Sequence, residues 1–347
     1  MTIVENRTLI TGGVDTHLNF HVAAAIDANG GTLGVETFQV GAKHYGELLA
    51  WLVGLGPVDK VGVEGTGSYG AGLARHLRQA GIDVVEVDRP NRQMRSRQGK
   101  SDDVDAIAAA RAALSGTATG LPKDRDGNVE AIRVLMVARR SAVDERIQIL
   151  NQMRHICFCA PDEIRTRFDG TSPKAFINAT SALRPRQSDD DVVRYTTLMT
   201  LRELGRRVRN LHEENKRLNK LLRPLIRDTA PGLLEVYGVG FGTAAKLLVA
   251  AGDNPERLHS EAAWAHMCGV SPIQASSGKI QRHRLNRGGN RQANSALYTI
   301  MLSRMRHDQR TRDYVARRSA EGKTMGEISR MLRRYISREI YKELRPA

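Results

Sequence analysis

Two aspartates three positions apart, Asp102 and Asp105, open a run of good helix formers in residues 99–111. If Ser101 caps a helix that begins there, both carboxylates lie on one helix face, while Asp103 points elsewhere. Clustered carboxylates repel one another, so such a face is suited to a divalent cation such as Mg²⁺. The simpler alternative is that acidic residues stabilise the first turn of a helix by opposing its macrodipole.

Two further acidic residues stand at the ends of predicted strands. Asp15 comes at the end of the first strand, and Glu64 ends a short buried strand over residues 60–64. An isolated acid after a strand is usually a turn residue. If these strands are neighbours, however, Asp15 and Glu64 converge with Asp102 and Asp105. Four converging carboxylates bind Mg²⁺ ions that orient and polarise a phosphodiester, which is the two-metal chemistry of phosphoryl transfer.

A polar loop late in the chain offers hydroxyl groups beside positive charge. Ser276 and Ser277 precede Gly278, and basic residues follow. Serines in such loops are ordinary, and nothing local supplies an activating base. The side chains after the loop are candidate contacts to a nucleic-acid backbone: Arg282, His283, Arg284, Arg287 and Arg291. Whether His283 also acts as an acid or a base stays open, because a lone histidine in a basic loop is more often a contact.

The elements that position the acids begin with three strands, the last two joined by a turn over residues 29–31. Helices and strands then alternate. The predicted strands are residues 8–14, 20–26, 32–39, 60–64 and 83–87, and the predicted helices between them are residues 45–55 and 71–80. Acids at the ends of strands one and four, and on a later helix, are typical of an α/β RNase H-like domain. The glycine-rich turn over residues 65–70 lacks the lysine of a P-loop and the spacing of a dinucleotide fingerprint.

The middle of the chain predicts long helices. Neither Pro nor Gly interrupts residues 129–157, and a second helix follows the acids at residues 189–191. Its apolar residues fall in heptad register: Leu201, Leu204, Val208, Leu211, Leu218, Leu222 and Leu225. Asn215 takes an a position, where a buried Asn fixes register, and Pro224 is expected to kink or end the helix near Arg223. The stripe pairs either with the first long helix or with a second copy of the chain.

From residue 228 the pattern changes to shorter helices. Residues 231–245 predict two short helices joined by a glycine turn, which is either a helix-hairpin-helix that meets a phosphate or a tight turn between packed helices. Further helices are predicted at residues 262–268, 291–305, 314–320 and 324–344. We therefore predict a catalytic domain in residues 1–125, a helical and coiled-coil region in residues 126–228, and a mostly helical C-terminal domain in residues 229–347.

The charge of the chain favours a polyanionic partner. The 347 residues carry a formal net charge of +15, and residues 279–345 hold 18 Lys and Arg against 6 Asp and Glu. Such an excess most simply indicates nucleic acid. The three cysteines, Cys157, Cys159 and Cys268, fit neither a disulfide framework nor a zinc site. The first residues lack a signal peptide, and no apolar run has the length of a membrane span, so we expect a cytoplasmic, nucleoid-associated protein with no membrane partner.

Three motifs taken together resemble the transposases of the IS110 family, and more distantly the RuvC-like resolvases with their DEDD acids. They are residues 14–17 (VDTH), 64–69 (EGTGSY) and 100–106 (KSDDVDA). A second set resembles the C-terminal domain of that family. It consists of a Gly-x-x-Pro segment over residues 269–272, the Ser-Gly pair at Ser277, the basic residues, and a Gly-Asn pair at Asn290 before a helix.

The resemblance implies a DNA transposase of a mobile element. Asp15, Glu64, Asp102 and Asp105 would be Mg²⁺ ligands, and the serine before the glycine, Ser277, would be the nucleophile, with Ser276 as the alternative. Lys100 would contact a phosphate, as would Asn290 with the basic residues. The resemblance also implies a structured noncoding guide RNA that base-pairs with donor and target DNA, and a coiled coil that joins protomers into a dimer or a tetramer.

Two other functions remain open from the sequence. One is a RuvC-like structure-selective endonuclease, in which the acids cut with water and Ser277 has no role. The other is a noncatalytic nucleic-acid-binding scaffold built on the coiled coil and the helix-hairpin-helix.

Overall fold

The computed structural model describes residues 9–87, 101–186, 191–278, 283, 284, 286 and 288–344, without the side chains of Pro255 and His283. Lys100, Arg282 and Arg287 lie outside the described residues. The chain forms two compact units, one of Met1–Asp126 with Ala251–His259 and the other of Gly127–Ala250 with Ser260–Ala347. The second unit includes both the helical middle and most of the C-terminal region. The division into three domains stays a prediction.

The first unit is built on a five-stranded mixed sheet. Its strands are β1 Ile10–Thr16, β2 Phe20–Ile26, β3 Thr32–Gln39, β4 Val58–Glu64 and β5 Asp83–Val87. Their order across the sheet is β3-β2-β1-β4-β5. Strand β2 is antiparallel to β1 and β3, whereas β4 is parallel to β1 and β5. The predicted mixed sheet is therefore confirmed, with β1 at its centre.

Helices cover both faces of this sheet. They are α1 Ala42–Leu55, α2 Ala71–Gln79 and α3 Asp102–Leu114. Val14 and Val63 point to one face, where they form a core with leucines of α1 and α2 such as Leu48 and Leu73. Because side chains alternate along a strand, Gly13 and Asp15 of β1 share the opposite face, as do Gly62 and Glu64 of β4. Helix α3 packs on that face.

Glycines in β1 and β4 let α3 approach the sheet unusually closely. A Cβ atom at Gly13 would lie 2.1 Å from the backbone nitrogen of Ala110 and 2.3 Å from the carbonyl oxygen of Ala106. A Cβ atom at Gly62 would lie 2.6 Å from the carbonyl oxygen of Ala109. The facing side of the helix carries buried alanines, which keep the separation small. The first turn of α3 is thereby held against the ends of β1 and β4.

A segment distant in sequence completes the first unit. Asn254 donates a hydrogen bond from Nδ2 to the carbonyl oxygen of Pro122 at 2.8 Å. Arg257 donates from Nε to the carbonyl oxygen of Leu121 at 2.7 Å, and its Nη2 pairs with Glu86 at 2.8 Å. No pattern in the sequence indicated that this segment returns to the first unit.

The second unit is mostly helical, as predicted. Its helices are α4 Asn128–Cys159, α5 Asp162–Phe168, α6 Pro173–Ser181, α7 Val192–Thr229, α8 Pro231–Glu235, α9 Phe241–Ala251, α10 Glu261–Met267, α11 Arg291–His307, α12 Gln309–Ala320 and α13 Met325–Leu344. A 3₁₀ turn, Pro255–Arg257, follows α9 and belongs to the first unit. Strands β6 Ile273–Gln274 and β7 His283–Arg284 form a small antiparallel pair. Within the described residues, no helix is both long and apolar enough to cross a lipid bilayer.

The long helices α4 and α7 pack along each other within the chain. Leu201 and Val208 of the heptad stripe are fully buried in a core that includes Met153 of α4. The Nε of Arg139 on α4 donates to Asn219 Oδ1 at 2.8 Å, and Asn219 Nδ2 donates to Asn215 Oδ1 at 3.1 Å. The N-terminal part of the stripe, which includes Leu201 and Val208, therefore packs against α4 of the same chain. A coiled coil between protomers stays a prediction.

Helix α7 does not end at Pro224, so an end near Arg223 is wrong, whereas the alternative, a kink at that point, stays a prediction. The helix continues to Thr229 with Leu222 and Ile226 buried, while Pro224 lies on the exposed face. A proline removes one helical hydrogen bond. On an exposed face, water can satisfy the released carbonyl, and the buried leucine and isoleucine hold the helix on both sides.

A glycine turn joins α8 and α9 at the predicted position. Gly238 has a φ of +83°, and the backbone nitrogen of Gly240 donates to Thr243 Oγ1 at 3.0 Å. The first helix lies within the predicted residues 231–245, whereas the second runs on to Ala251. A helix-hairpin-helix function for this turn stays a prediction.

Candidate active site

Asp15 and Glu64 lie side by side at the same edge of the sheet. Strands β1 and β4 are parallel, and their register pairs Val14 with Val63, immediately before the two acids. Thr16 strengthens this edge because its Oγ1 donates to the carbonyl oxygen of Glu64 at 2.8 Å. Asp15 is 8% exposed and Glu64 is 7% exposed. The fold therefore buries two carboxylates at one edge.

The first turn of α3 brings Asp102 and Asp105 to the same face of the sheet. Asp105 is buried, Asp102 is half-buried and Asp103 is exposed. This agrees with the expectation that Asp102 and Asp105 share a helix face and Asp103 does not. Ser101 takes the N-cap position, but its side chain makes no capping hydrogen bond. The capping expectation thus holds for the position of Ser101 and not for its hydroxyl.

His17 is a member of this site that the sequence did not mark as a candidate ligand. Its Nε2 lies 3.1 Å from Asp15 Oδ2 and 3.4 Å from Asp102 Oδ2. That nitrogen is buried and makes no well-formed hydrogen bond in the described part of the chain. Its position two residues after Asp15 was the available signal, because residues i and i+2 of an extended chain point to the same face.

The electrostatics of the site favour a cation. Burial raises the pKa of the Asp15 carboxyl above its ordinary value, and the nearby carboxylates of Asp105 and Asp102 raise it further, while His17 lowers it. Asp15, His17 and Asp102 each offer a ligand atom, and these three atoms lie within 4.8 Å of one another. Two neighbouring ligands of an octahedral cation, with bonds of about 2.1 Å, are separated by about 3.0 Å. The two distances from His17 are close to that separation, so the donor set fits one divalent ion.

The serine loop belongs to the second unit, whereas the four acids belong to the first. The pairing of β6 with β7 sets Ile273 opposite Arg284 and Gln274 opposite His283. Ser276 and Ser277 therefore lie, in sequence, between the two strands of a short β-hairpin. Both serines are exposed, as is Arg284. Among the described residues, no side chain forms a hydrogen bond with the Ser277 hydroxyl.

The segment after the hairpin is tied to neighbouring helices. Asn290 caps α11, because its Oδ1 accepts hydrogen bonds from the backbone nitrogens of Gln292 and Ala293, both at 3.0 Å. The backbone nitrogen of Asn290 donates to the carbonyl oxygen of Met267 at 2.6 Å. Arg291 is exposed in the first turn of α11. A structural role for Asn290 thus accompanies its predicted role at a phosphate.

Comparison with known proteins identifies both halves of the chain. Residues 12–157 match the DEDD model of IS110 elements, which is described as a transposase. Residues 230–316 match a second model, described as a transposase of the IS116/IS110/IS902 family. The first match includes Asp15, Glu64, Asp102 and Asp105, and the second includes Ser277.

A curated relative agrees with these matches. Over 131 residues the chain is 34% identical to the "Insertion element IS110 uncharacterized 43.6 kDa protein" of Streptomyces coelicolor. The alignment covers 37% of this chain and 32% of that protein, so it spans about a third of the relative's length. Because the two models of this family together match residues 12–157 and 230–316, more than half of the chain, the chain belongs to the IS110 family of transposases.

Proposed function

We propose that this protein is a DNA transposase that excises and inserts its own mobile element by serine-mediated, Mg²⁺-assisted strand exchange. The observation that carries the proposal is the gathering of buried acids at one edge of the sheet, where Asp15 and Glu64 meet the first turn of α3. The strand order and the helix that crosses one face agree with an RNase H-like, RuvC-like domain. Family membership supports the reaction class.

Mg²⁺ is the cofactor in this proposal, with Asp15, Glu64, Asp102 and Asp105 as its ligands and His17 beside them. The ion would stabilise the charge that develops on a phosphodiester. The protein contributes a rigid, partly buried frame, since each acid is on a strand or helix rather than in a loop. The carboxylates lie where a cation would relieve the repulsion that raises the pKa of Asp15.

Ser277 is the nucleophile in the proposed reaction. Its Oγ attacks the phosphorus of a DNA phosphodiester, a serine Oγ–P bond forms, and one P–O bond to the sugar breaks. The serine proton is lost to the surroundings, and the released sugar oxygen gains one, so the number of phosphate ester bonds is unchanged. The retained ester lets a new strand end attack and restore the DNA without ATP.

The proposed partners are donor and target DNA and a structured noncoding guide RNA. The RNA enters through family membership, and the positive charge of residues 279–345 supports a surface for both nucleic acids. In such a system base pairing selects the sequence, so the protein needs mostly backbone contacts. Lys100, Arg282, His283, Arg284, Arg287, Asn290 and Arg291 are the proposed contacts. Assembly into a dimer or tetramer through α7 is part of the same proposal, as is action in the nucleoid.

The test is to trap the covalent intermediate. The full-length protein is incubated with labelled element-end DNA, guide RNA and Mg²⁺, denatured in detergent and run on a denaturing gel. We expect a protein–DNA adduct that disappears in Ser277→Ala and persists in the matched neighbour variant Ser276→Ala. The opposite pattern would assign the nucleophile to Ser276.

Two outcomes would support the other functions. Free nicks that survive Ser277→Ala would indicate a RuvC-like endonuclease that uses water. Absence of any cleavage by the wild-type protein, with nucleic-acid binding intact, would indicate a noncatalytic scaffold.

A further inference from the structure

The arginines of the C-terminal helices differ in whether a carboxylate neutralises them. Arg304 on α11 pairs with Glu339 at 2.7 Å. Arg334 on α13 donates from Nη2 to Glu261 at 2.7 Å. Arg333, the adjacent residue, pairs with no carboxylate in the described part of the chain. Burial lowers the pKa of the guanidinium of Arg333 and also that of Arg334, so the two residues differ in the carboxylate partner and not in the direction of the pKa shift.

Arg333 lines a cavity of about 470 Å³ that has no acidic residue among its described lining residues. The turn at Gly288 and Gly289 forms one wall, and Tyr298 forms another. A larger cavity of about 1210 Å³ in the same unit is lined by arginines together with Asp308, Asp313, Glu339 and Glu343. Its charges are balanced within the protein. Only the smaller of these two cavities carries positive charge that the described residues do not offset.

The guanidinium of Arg333 is held in a fixed position. Its Nη1 donates to Asn294 Oδ1 at 3.0 Å, and Asn294 Nδ2 in turn donates to the carbonyl oxygen of Cys268 at 2.9 Å. The second bond fixes the amide so that its oxygen faces the arginine. Arg333 also lies over the ring of Tyr298, with Cζ 6.0 Å from the ring centroid. Its Nη2 makes no hydrogen bond with any described residue, so this end of the guanidinium remains available for a ligand.

We propose that this cavity binds a phosphodiester group of a nucleic-acid strand, with Arg333 as its main contact. A planar guanidinium recognises phosphate oxygens through paired hydrogen bonds, and its desolvation strengthens them. The cavity wall at Gly288 and Gly289 begins eleven residues after Ser277. It is tied to α10 because Asn286 donates from Nδ2 to the carbonyl oxygen of His266 at 3.3 Å. The cavity thus anchors a strand in the unit that carries the nucleophile. This inference rests on the proposed function.

The test measures how binding depends on salt. Fluorescence anisotropy is recorded with a short labelled DNA duplex and, separately, with a labelled single-stranded RNA over a series of KCl concentrations. Each phosphate contact adds about 0.9 to the slope of log K against log salt for duplex DNA and about 0.7 for a single strand. Arg333→Gln should reduce the slope by about one such contact and weaken binding about ten-fold. Arg334→Gln is the matched control, because it removes the same charge from the next residue, where Glu261 already neutralises it.

The outcomes distinguish DNA from RNA as the source of the phosphate, and they test this inference separately from the proposed function. A change for DNA alone assigns the phosphodiester to DNA, a change for RNA alone assigns it to RNA, and a change for both indicates a shared site. Unchanged slopes in a folded Arg333→Gln variant, or equal changes in Arg334→Gln, would overturn the inference. If Arg333→Gln does not fold, Arg333→Lys is used, which should keep the slope and still bind several-fold more weakly. Adduct formation through Ser277 is measured independently, so either proposal can fail alone.

Discussion

Replacing Gly13 by alanine should displace the helix that carries two of the acids. A Cβ atom there would lie 2.1 Å from the backbone nitrogen of Ala110. That is about 1.3 Å short of the 3.4 Å at which ordinary contact begins, in an interior that has no room to absorb the difference. The colliding atom belongs to the backbone, so no side-chain rotation can relieve the overlap. Helix α3 must move outward, and Asp102 and Asp105 must move with it.

The expected cost has two parts. Overpacking a core costs about 1–3 kcal/mol, and the backbone collision sets Gly13→Ala at the upper end of that range. A catalytic group displaced by about 1 Å loses roughly 10²-fold in rate. Urea unfolding measures the first part, and DNA cleavage with calorimetric titration of Mn²⁺ measures the second. We expect a lower unfolding midpoint, weaker metal binding and about 10²-fold slower cleavage.

Gly46 provides the matched control. It lies within α1, and a Cβ atom there would meet nothing within 4 Å. Gly46→Ala should leave metal binding unchanged and stabilise the protein by about 0.5–1 kcal/mol, since alanine is the better helix former. If Gly13→Ala instead unfolds and binds metal like the wild type, the close approach of α3 to β1 does not position the acids.

Three further variants test the acidic site directly. Asp102→Asn should abolish cleavage but retain nucleic-acid binding in anisotropy assays. The exposed control Asp103→Asn should remain active. Full activity of Asp102→Asn would contradict the metal-site proposal. His17→Ala should weaken Mn²⁺ binding by about ten-fold and remove any nitrogen coupling from the electron spin echo of bound Mn²⁺, whereas the exposed control His44→Ala should change neither. Burial and nearby carboxylates raise the pKa of Asp15, so the folded state binds more protons at this carboxyl group than the unfolded state does. The metal-free protein should therefore lose stability as pH rises through that raised pKa. Asp15→Asn should melt at a higher temperature than the wild type at neutral pH in EDTA, and an equal or lower melting temperature would contradict the assigned repulsion.

Local patterns were sufficient to predict most of the elements. Strands β2, β3 and β5 have the predicted bounds, because alternating apolar residues and turn residues define them without help from distant contacts. Strand β1 differs, since it runs on to Thr16 and includes Asp15. Its extension is supported by pairing with β2, where Asp15 faces Val22 and Thr16 faces His21. Such pairing is a tertiary interaction that the residues of β1 alone do not encode.

The candidate site was only partly predictable for the same reason. The acids could be selected because their combined placement on two strands and a helix, and the motifs around them, resemble a known family. His17 became a site residue only when α3 brought Asp102 within 3.4 Å of it. The arginines of α13 illustrate the limit more sharply. Arg333 and Arg334 are identical in type and adjacent in sequence, yet only Arg334 has a carboxylate among the described residues. The number of charged residues can be counted from a sequence, whereas whether a carboxylate neutralises a given arginine depends on the contacts that the fold makes.

The acids and Ser277, the two proposed sets of catalytic groups, differ in how firmly each is positioned before substrate binds. The acids, three of them buried, lie on a sheet and a helix whose backbones are in near contact, so their geometry is set by folding. Ser277 is exposed in the loop of a hairpin whose strands are two residues long. Exposed segments open more readily than buried ones, so we expect the bound strand to help hold the serine in position. We therefore expect the acids to bind metal in the absence of DNA, and protection of residues 275–278 from hydrogen exchange to rise only when DNA is added. Equal protection with and without DNA would mean that the serine, too, is positioned by folding alone.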